Sequence, residues 1–491
     1  MYGGKIGGNK NRYASIVAIL VLAGSLSSCT HVPKKDSFLP FGMRAVNAPE
    51  VAIEDFRDVP PAPSEQSAQW WQKFADATLT ELVRDAQSEN IGLQIANARL
   101  REARARGLAT VAGYAPRLDI GGSVSETRRT AGDGLENIYG QPVNSQSTAN
   151  SYARASWEVP LFGRLGASVA GARANTELGE IGVEAAKIAM ISDIAAAYID
   201  LRAAQTRQIY LQEDLARSEV LSQIATERLR VGLISRSDAS FAATQESGTR
   251  IALADATLRV RANLDRLAIL RGVTPGSLDS RMALTSADYA FRANAPQIDA
   301  IPANFVRRRL DVKQAERNAI LASANVGINR AQLYPNLSIS GTISLVAALA
   351  GAPLGSAVGR SVVTPSVTLP LFDFGQRWAA IRVANSQFDV AMLNYKATTL
   401  SAIAEGQAAL SGYDQGLIRA NAASASESAA RTRVLAAREA FRVGLISMKD
   451  NIEAESDFAS ARQARLSAQA QLSDSAIGLY RTFAGSPEII D

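Results

Sequence analysis

Two hydrophobic periods alternate along the chain, and each occurs twice. From Leu178 the apolar positions continue at Ile181, Ala185, Ile188, Ile191, Ala195, Tyr198 and Leu201. Steps of three and four residues place them on one helical face, and the alanines in that seam permit close helix contact. No proline occurs from Leu161 to Thr274 or from Leu371 to Ser486. Both runs are rich in Ala, Arg, Glu and Gln, which are good helix formers. From about Arg164 to Arg230 nothing interrupts the pattern, which predicts a rod on the order of 100 Å long at ~1.5 Å per residue. A globular core does not need such a rod; a structure that spans a gap does.

Elsewhere the period switches to two. Leu337, Ile339, Ile343 and Leu345 alternate with Ser338, Ser340, Thr342 and Ser344, and Val363, Val367, Leu369 and Leu371 with Val362, Thr364, Ser366 and Thr368. In the first half Ala153, Ala155, Trp157 and Val159 alternate with Tyr152, Arg154, Ser156 and Glu158, while Leu118, Ile120 and Val124 lead in. Each stretch is about nine to eleven residues, the length of a tilted membrane-crossing strand. One apolar face and one Ser/Thr face suit a wall between lipid and a wet lumen. Asp133-Gly134 and Tyr139-Gly140-Gln141-Pro142 are turn signals between the first pair. A half-buried hairpin on a soluble sheet has the same period, and the N-terminal leader decides for the membrane. Four strands cannot close a barrel, and open edges are not tolerated in lipid, so the pattern predicts self-assembly. Two copies give eight strands and three give twelve.

The halves repeat each other. Ala115-Pro116-Arg117-Leu118 answers Tyr334-Pro335-Asn336-Leu337, and Val159-Pro160-Leu161-Phe162 answers Leu369-Pro370-Leu371-Phe372. Arg230-Val231-Gly232-Leu233-Ile234-Ser235 recurs without change as Arg442-Val443-Gly444-Leu445-Ile446-Ser447. Gly232 and Gly444 fit left-handed helix C-caps, with Ser235 or Ser237 and Ser447 capping the next helix. Such caps put Leu233, Ile234, Leu445 and Ile446 at the exposed end of a rod, where apolar residues suggest a partner surface. The expected divisions are a leader at 1–28, an irregular segment at 29–75 and a first repeat at 76–271 with its β-hairpin at about 117–162. A proline-bearing equatorial segment at 272–302, a second repeat at 303–484 with its hairpin at about 337–372, and a tail at 485–491 follow.

Lys5, Lys10 and Arg12 precede the short apolar stretch Ile16–Ala23, and Leu26-Ser27-Ser28-Cys29 follows. This is a secretory leader, too short to span a bilayer. Its end resembles the bacterial lipobox, which makes Cys29, the only cysteine of the chain, the expected lipidation site. Several acyl chains hold a protein far more firmly than one. Thr30 rather than Asp follows, which favours the outer membrane by resemblance to sorting patterns in enteric-type bacteria.

Composition narrows the chemistry. Lys and Arg number 52 against 47 acidic residues, and removal of the leader takes away three of the cations. The remaining balance is spread along the chain and gives no reason to invoke nucleic acid. With one Cys and one His, His31, the chain cannot assemble a Cys/His metal site or a histidine-based triad, and no intrachain disulfide is available. No G-x-S-x-G elbow or Walker lysine loop is present, and no catalytic residue or cofactor is expected.

Several segments carry a family resemblance together. They include Trp70-Trp71-Gln72-Lys73-Phe74 leading to Leu79 and Leu82, and Asn90-Ile91-Gly92-Leu93 before Ala98-Arg99-Leu100. Arg309-Leu310-Asp311 before Ala315-Glu316, Pro365–Phe372 and both Arg-Val-Gly-Leu-Ile-Ser turns complete the set. The chain resembles the TolC-like outer-membrane efflux proteins, in the lipid-anchored multidrug-efflux branch related to NodT and OprM. The resemblance implies a mainly α, internally duplicated protein whose homotrimer forms a twelve-stranded β-barrel continued by a long periplasmic α-helical barrel. It also implies a passive exit duct for drugs or other small solutes, not an enzyme. The implied partners are outer-membrane lipid, a periplasmic adaptor (membrane fusion) protein and an inner-membrane efflux pump. A duct for polypeptide secretion or metal-ion efflux is the alternative. The implied adaptor-binding tip is Arg230, Val231, Gly232, Leu233 and Ser235 with Arg442, Val443, Gly444, Leu445 and Ser447. Where the family narrows its tunnel with an acidic ring, this chain has Glu453, with Lys449 one helical turn before it and Asp450 nearby. A lysine facing that carboxylate can pair with it. Leu310 stands where the family usually has proline.

Overall fold

A computed structural model describes residues 65–128, 145–284, 289, 291, 303–348 and 358–483. A 3-10 segment, Glu65–Phe74, leads into α1 (Ala77–Glu89) and α2 (Ile91–Ala112). Strands β1 (Arg117–Arg128) and β2 (Ser145–Val159) are followed by α3 (Arg164–Arg230) and α4 (Arg236–Arg271). The second half repeats the plan with α5 (Ala303–Arg308), α6 (Leu310–Ala331), β3 (Asn336–Ala348), β4 (Val358–Thr368), α7 (Gln376–Arg442) and α8 (Met448–Phe483). Helices α3 and α7 have 67 residues each, and α4 and α8 have 36 each. Leu310 opens α6 in the first-turn position that a proline also tolerates, so its departure from the family pattern leaves the helix intact.

The rods pack closely because their seams are small. A Cβ on Gly179 would stand 3.1 Å from a Leu100 methyl, and one on Gly416 3.3 Å from a Leu472 methyl. On the strand side of the molecule the helices lie in the order α2–α3–α6–α7, and on the other side in the order α4–α3–α8–α7. Between these levels sits a girdle that holds most of the core. Trp70 stacks on Tyr480 at 4.8 Å, and Phe74 packs against the same ring. Asp76 caps α1 by accepting from the Leu79 amide at 3.1 Å. Its other oxygen accepts from Tyr198 at 2.7 Å and Tyr289 at 3.0 Å. Burial pushes the Tyr198 hydroxyl up to about 12, so both phenols stay protonated donors. Arg202 lies over the Tyr198 ring at 4.9 Å and, with Gln205, donates to the Met282 carbonyl. One buried network therefore ties α1, α3 and the segment between the repeats.

The two flanks of this layer remain open. On one flank α2 buries no residue and exposes Ile91, Ile95, Leu108 and Val111, while α4 below it exposes Ile251, Leu258 and Ile269. On the other flank α7 exposes Val383, Val390, Leu393 and Leu400. Two different apolar flanks on one chain suit a head-to-tail contact, the kind that closes into a ring of copies when its rotation closes.

Candidate functional site: the strand wall and the helical tip

The sheet has the order β1-β2-β3-β4, antiparallel throughout, with β1 and β4 as free edges. The register sorts the side chains by face. Ile120, Ala153 and Ile343 lie in one row, and Trp157, Ile339 and Pro365 in another on the same face. Asp119, Arg154 and Thr342 share the opposite face with Ser156, Ser340 and Thr364. The apolar face is uncovered within the protomer: Ile120 is 83% exposed and Ile343 66%. Such a two-faced sheet is a wall, one side for lipid and the other for water. Its free edges belong to the flanks already described, β1 beside α2 and β4 beside α7. One ring closure therefore satisfies strands and helices together.

Wall and rod meet through a shared device. Phe162 and Gly163 both have positive φ, 54° and 79°, and so do Phe374 and Gly375, 53° and 85°. A left-handed phenylalanine is costly, so these turns are fixed by their surroundings. Phe162 stacks on Tyr334 at 4.8 Å, and Phe374 contacts Phe372 at 4.6 Å. Leu371, Phe372, Phe374 and Trp378 are exposed beside the strand ends, where aromatic girdles of membrane barrels sit.

At the far end both helix pairs turn identically. Gly232 has φ 70°, its N–H donates to the Leu229 carbonyl, and that of Leu233 donates to Arg228 at 2.8 Å. Gly444 has φ 79°, with the matching bonds from Gly444 to Phe441 and from Leu445 to Ala440. These are Schellman caps. Ser235, not Ser237, caps α4 by accepting from the Asp238 amide. Ser447 caps α8 by accepting from the Asp450 amide, and the Asp450 carboxylate accepts from the Ser447 amide and hydroxyl. Those hydrogen bonds hold the Asp450 carboxyl below the usual range. Leu233 and Leu445 stand 72% and 78% exposed at the extremity. Arg228 lies over the Phe441 ring at 4.9 Å, joining the two turns across a cleft of about 610 Å³ that Ile234, Ile446 and Lys449 also line.

Of the ten turn residues, Gly232, Leu233, Ser235, Gly444 and Ser447 line the shared cleft, Arg230 and Arg442 pair with Glu227 and Glu439 of their own helices, and Val231, Val443 and Leu445 are exposed outside it. Lys449 lies 3.8 Å from Glu453 on the exposed face of α8. Asp450 is turned away from that pair into the cap. Cys29 lies outside the described residues. Sequence reasoning missed a charged layer above the tip. Arg462 of α8, only 8% exposed, pairs with Glu213 and Asp214 of α3, both at 2.9 Å, and lies 4.0 Å over the Tyr210 ring. Arg438 of α7 holds Glu455 of α8 through two bonds, 2.6 and 2.7 Å, and Arg217 of α3 reaches the same carboxylate at 3.8 Å. The layer binds the two hairpins to one another. The left-handed phenylalanines were also missed, although a phenylalanine-glycine pair after each Leu-Pro-Leu or Val-Pro-Leu run was a usable signal.

A two-faced sheet with free edges, continued by rods that end in exposed apolar turns, is one wall segment of a ring-shaped membrane channel. The family model for "Outer membrane efflux protein" matches residues 82–273 and 302–485, and the chain belongs to that family. Nodulation protein T of Rhizobium leguminosarum bv. viciae is 27% identical over 404 residues, 82% of this chain and 80% of that protein. The probable efflux pump outer membrane protein TtgC of Pseudomonas putida is 25% identical over 477 residues, 96% of this chain and 95% of that protein. The crystal structure of the Campylobacter jejuni CmeC outer membrane channel shares the fold, with a TM-score of 0.76, 21% identity, and coverage of 91% of this chain and 93% of that one. The fold is thus that of a protomer of a homotrimeric TolC-like outer-membrane channel, in which three four-stranded sheets complete a twelve-stranded barrel.

Proposed function

We propose that the protein is the passive exit duct of a tripartite efflux system, carrying drugs or other small solutes that an inner-membrane pump delivers through a periplasmic adaptor. The observation that carries this reading is continuity. Each strand pair runs directly into a 67-residue helix, so the lipid-facing wall and the rod form one unbroken conduit across two compartments. The division at residues 28 and 29 fits this reading, with the leader removed and Cys29 acylated in the inner face of the outer membrane. The two Arg-Val-Gly-Leu-Ile-Ser turns offer the adaptor a cleft with apolar walls and cationic rims. Lys449 and Glu453 stand on the exposed side of α8, where three copies around an axis would narrow the tunnel, with Asp450 securing the helix that bears them. Selection among solutes rests with the pump.

The reading is tested in cells that lack the protein, by accumulation of a fluorescent small-molecule substrate of the cognate pump. Re-expression of the wild type lowers accumulation. Cys29→Ser abolishes acyl labelling of the protein. Unchanged accumulation on re-expression contradicts the efflux role, and acyl label on Cys29→Ser contradicts the anchor.

A further inference from the structure

On α3 the polar network of the girdle lies on one face. Tyr198 and Arg202 reach Asp76 and Met282 there. At about 100° per residue, Asp200, Ala203, Ala204 and Arg207 look out on the opposite side. On that side α3, α4 and α8 leave an alcove of about 470 Å³. Ala203 and Ala204 form its floor, and Ala262 and Ala470 keep its walls short. This is within the size range of small-molecule sites.

The charges around the alcove do not match one another. Asp200 is occupied, since its carboxylate pairs with Arg266 at 3.2 Å and its carbonyl accepts from Asn263. Asp474 of α8 has a buried carboxylate oxygen with no hydrogen-bond partner, and Arg207 of α3 has a buried Nε with none. Arg259 of α4 stands exposed at the rim. Burial, with the negative charge of Asp200, pushes the Asp474 carboxyl up to about 7 against the opposing pull of Arg266. An unmatched acid and two unmatched guanidinium groups around one cavity suit a ligand that carries both charges.

We propose that this alcove binds small zwitterionic solutes, with Asp474 taking the ammonium group and Arg207 and Arg259 the anionic group. The proposal rests on the reading of the chain as a duct, in which the face opposite the girdle is the tunnel wall and the ring carries three alcoves at one height. A bound ammonium favours the ionised form of Asp474, so binding near neutral pH releases a proton.

The test uses the full-length detergent-solubilised trimer and 6-aminohexanoate as the probe, with hexylammonium and hexanoate as probes bearing one charge each. Titration calorimetry in two buffers of different ionisation enthalpy reads affinity and proton release together. The wild type binds 6-aminohexanoate with proton release, and each single-charge probe binds roughly ten-fold more weakly or worse. Asp474→Asn keeps the shape and removes a poorly solvated charge, so it folds; it loses the proton release and roughly ten-fold in affinity. Arg207→Gln weakens hexanoate and 6-aminohexanoate alike. Three results overturn the site: no binding to the wild type in the millimolar range, equal binding by Asp474→Asn, or hexylammonium binding as tightly as the zwitterion. Planar-bilayer conductance of the same preparation separates the two claims. A conducting protein that binds nothing overturns the alcove alone, and a binding protein that never conducts overturns the duct alone.

Discussion

The girdle and the tip share four helices, α3, α4, α7 and α8, and are held in opposite ways. At the girdle the 3-10 segment, α1 and the inter-repeat segment pack on those helices, and at the tip no other described element does. At the girdle Trp70, Phe74, Tyr198, Phe305, Tyr480 and Phe483 lie in one buried cluster spanning both repeats. At the tip only Ala225, Ala242, Met448 and Ile452 are buried together. The difference teaches where the molecule is fixed and where it can open, because local stability follows buried apolar contact. Between the two lies the charged layer of Arg438, Glu455, Arg462 and Asp214, which joins the hairpins by electrostatics and hydrogen bonds.

The strongest way to break this contrast is at the girdle. Tyr480→Ala removes a fully buried ring stacked on Trp70 and is expected to cost about 3–5 kcal/mol in denaturant unfolding of the purified protein. Leu445→Ala, on an exposed residue at the tip, is expected to stay within about 0.5 kcal/mol. Equal losses from the two changes would erase the distinction. Next is the charged layer. Arg462→Met removes one of the two cations on Asp214, leaving Arg217, and its lost charge-assisted hydrogen bonds are expected to cost about 1.5–3 kcal/mol. Hydrogen exchange should show faster opening of the amides near 210–217 and 455–462, with girdle amides unchanged; uniform acceleration would mean the layer is no separate unit.

The tip changes are smaller in stability and larger in function. Gly232→Pro with Gly444→Pro forbids the positive φ and removes the Gly-to-Leu229 and Gly-to-Phe441 bonds. Efflux should fall while trimeric barrel assembly persists, and normal export by the double variant counts against the tip as the docking site. The smallest effect belongs to Lys449 and Glu453, an exposed pair in the class worth about 0–1 kcal/mol. Lys449→Ala and Glu453→Ala should each raise single-channel conductance, and the double variant should add little to either. Unchanged conductance in all three places the pair on the outer surface.

The repeats and rods are legible in the sequence because each is written in a local signal. Within each proline-free run the steady helical period breaks at Gly232 and Gly444, and α3 and α7 stop beside them. The strands extend beyond the apolar alternation, β2 beginning at Ser145 among polar residues that carry no period. What pairs across the fold is not legible. Arg462 and Asp214 lie 248 residues apart, and no spacing rule connects them. The period through Ile191, Ala195, Tyr198 and Leu201 marks the buried face of α3, but no local signal states that α4 and α8 leave a cavity on its other side. Asp450 reads as a tunnel charge by its place after the turn, yet Ser447 three residues earlier makes a capping box with it. The two-residue insertion in Leu371-Phe372-Asp373-Phe374 likewise conceals that Phe374, not Phe372, adopts the backbone of Phe162.

Head-to-tail closure is the claim on which wall, tunnel and tip all depend, and native mass spectrometry of the detergent-solubilised protein tests it most directly. The free strand edges and the unlike apolar flanks predict a closed assembly with no free monomer, and the family fold sets its count at three chains. A stable monomer retaining its full β-signal in the same detergent would contradict the account.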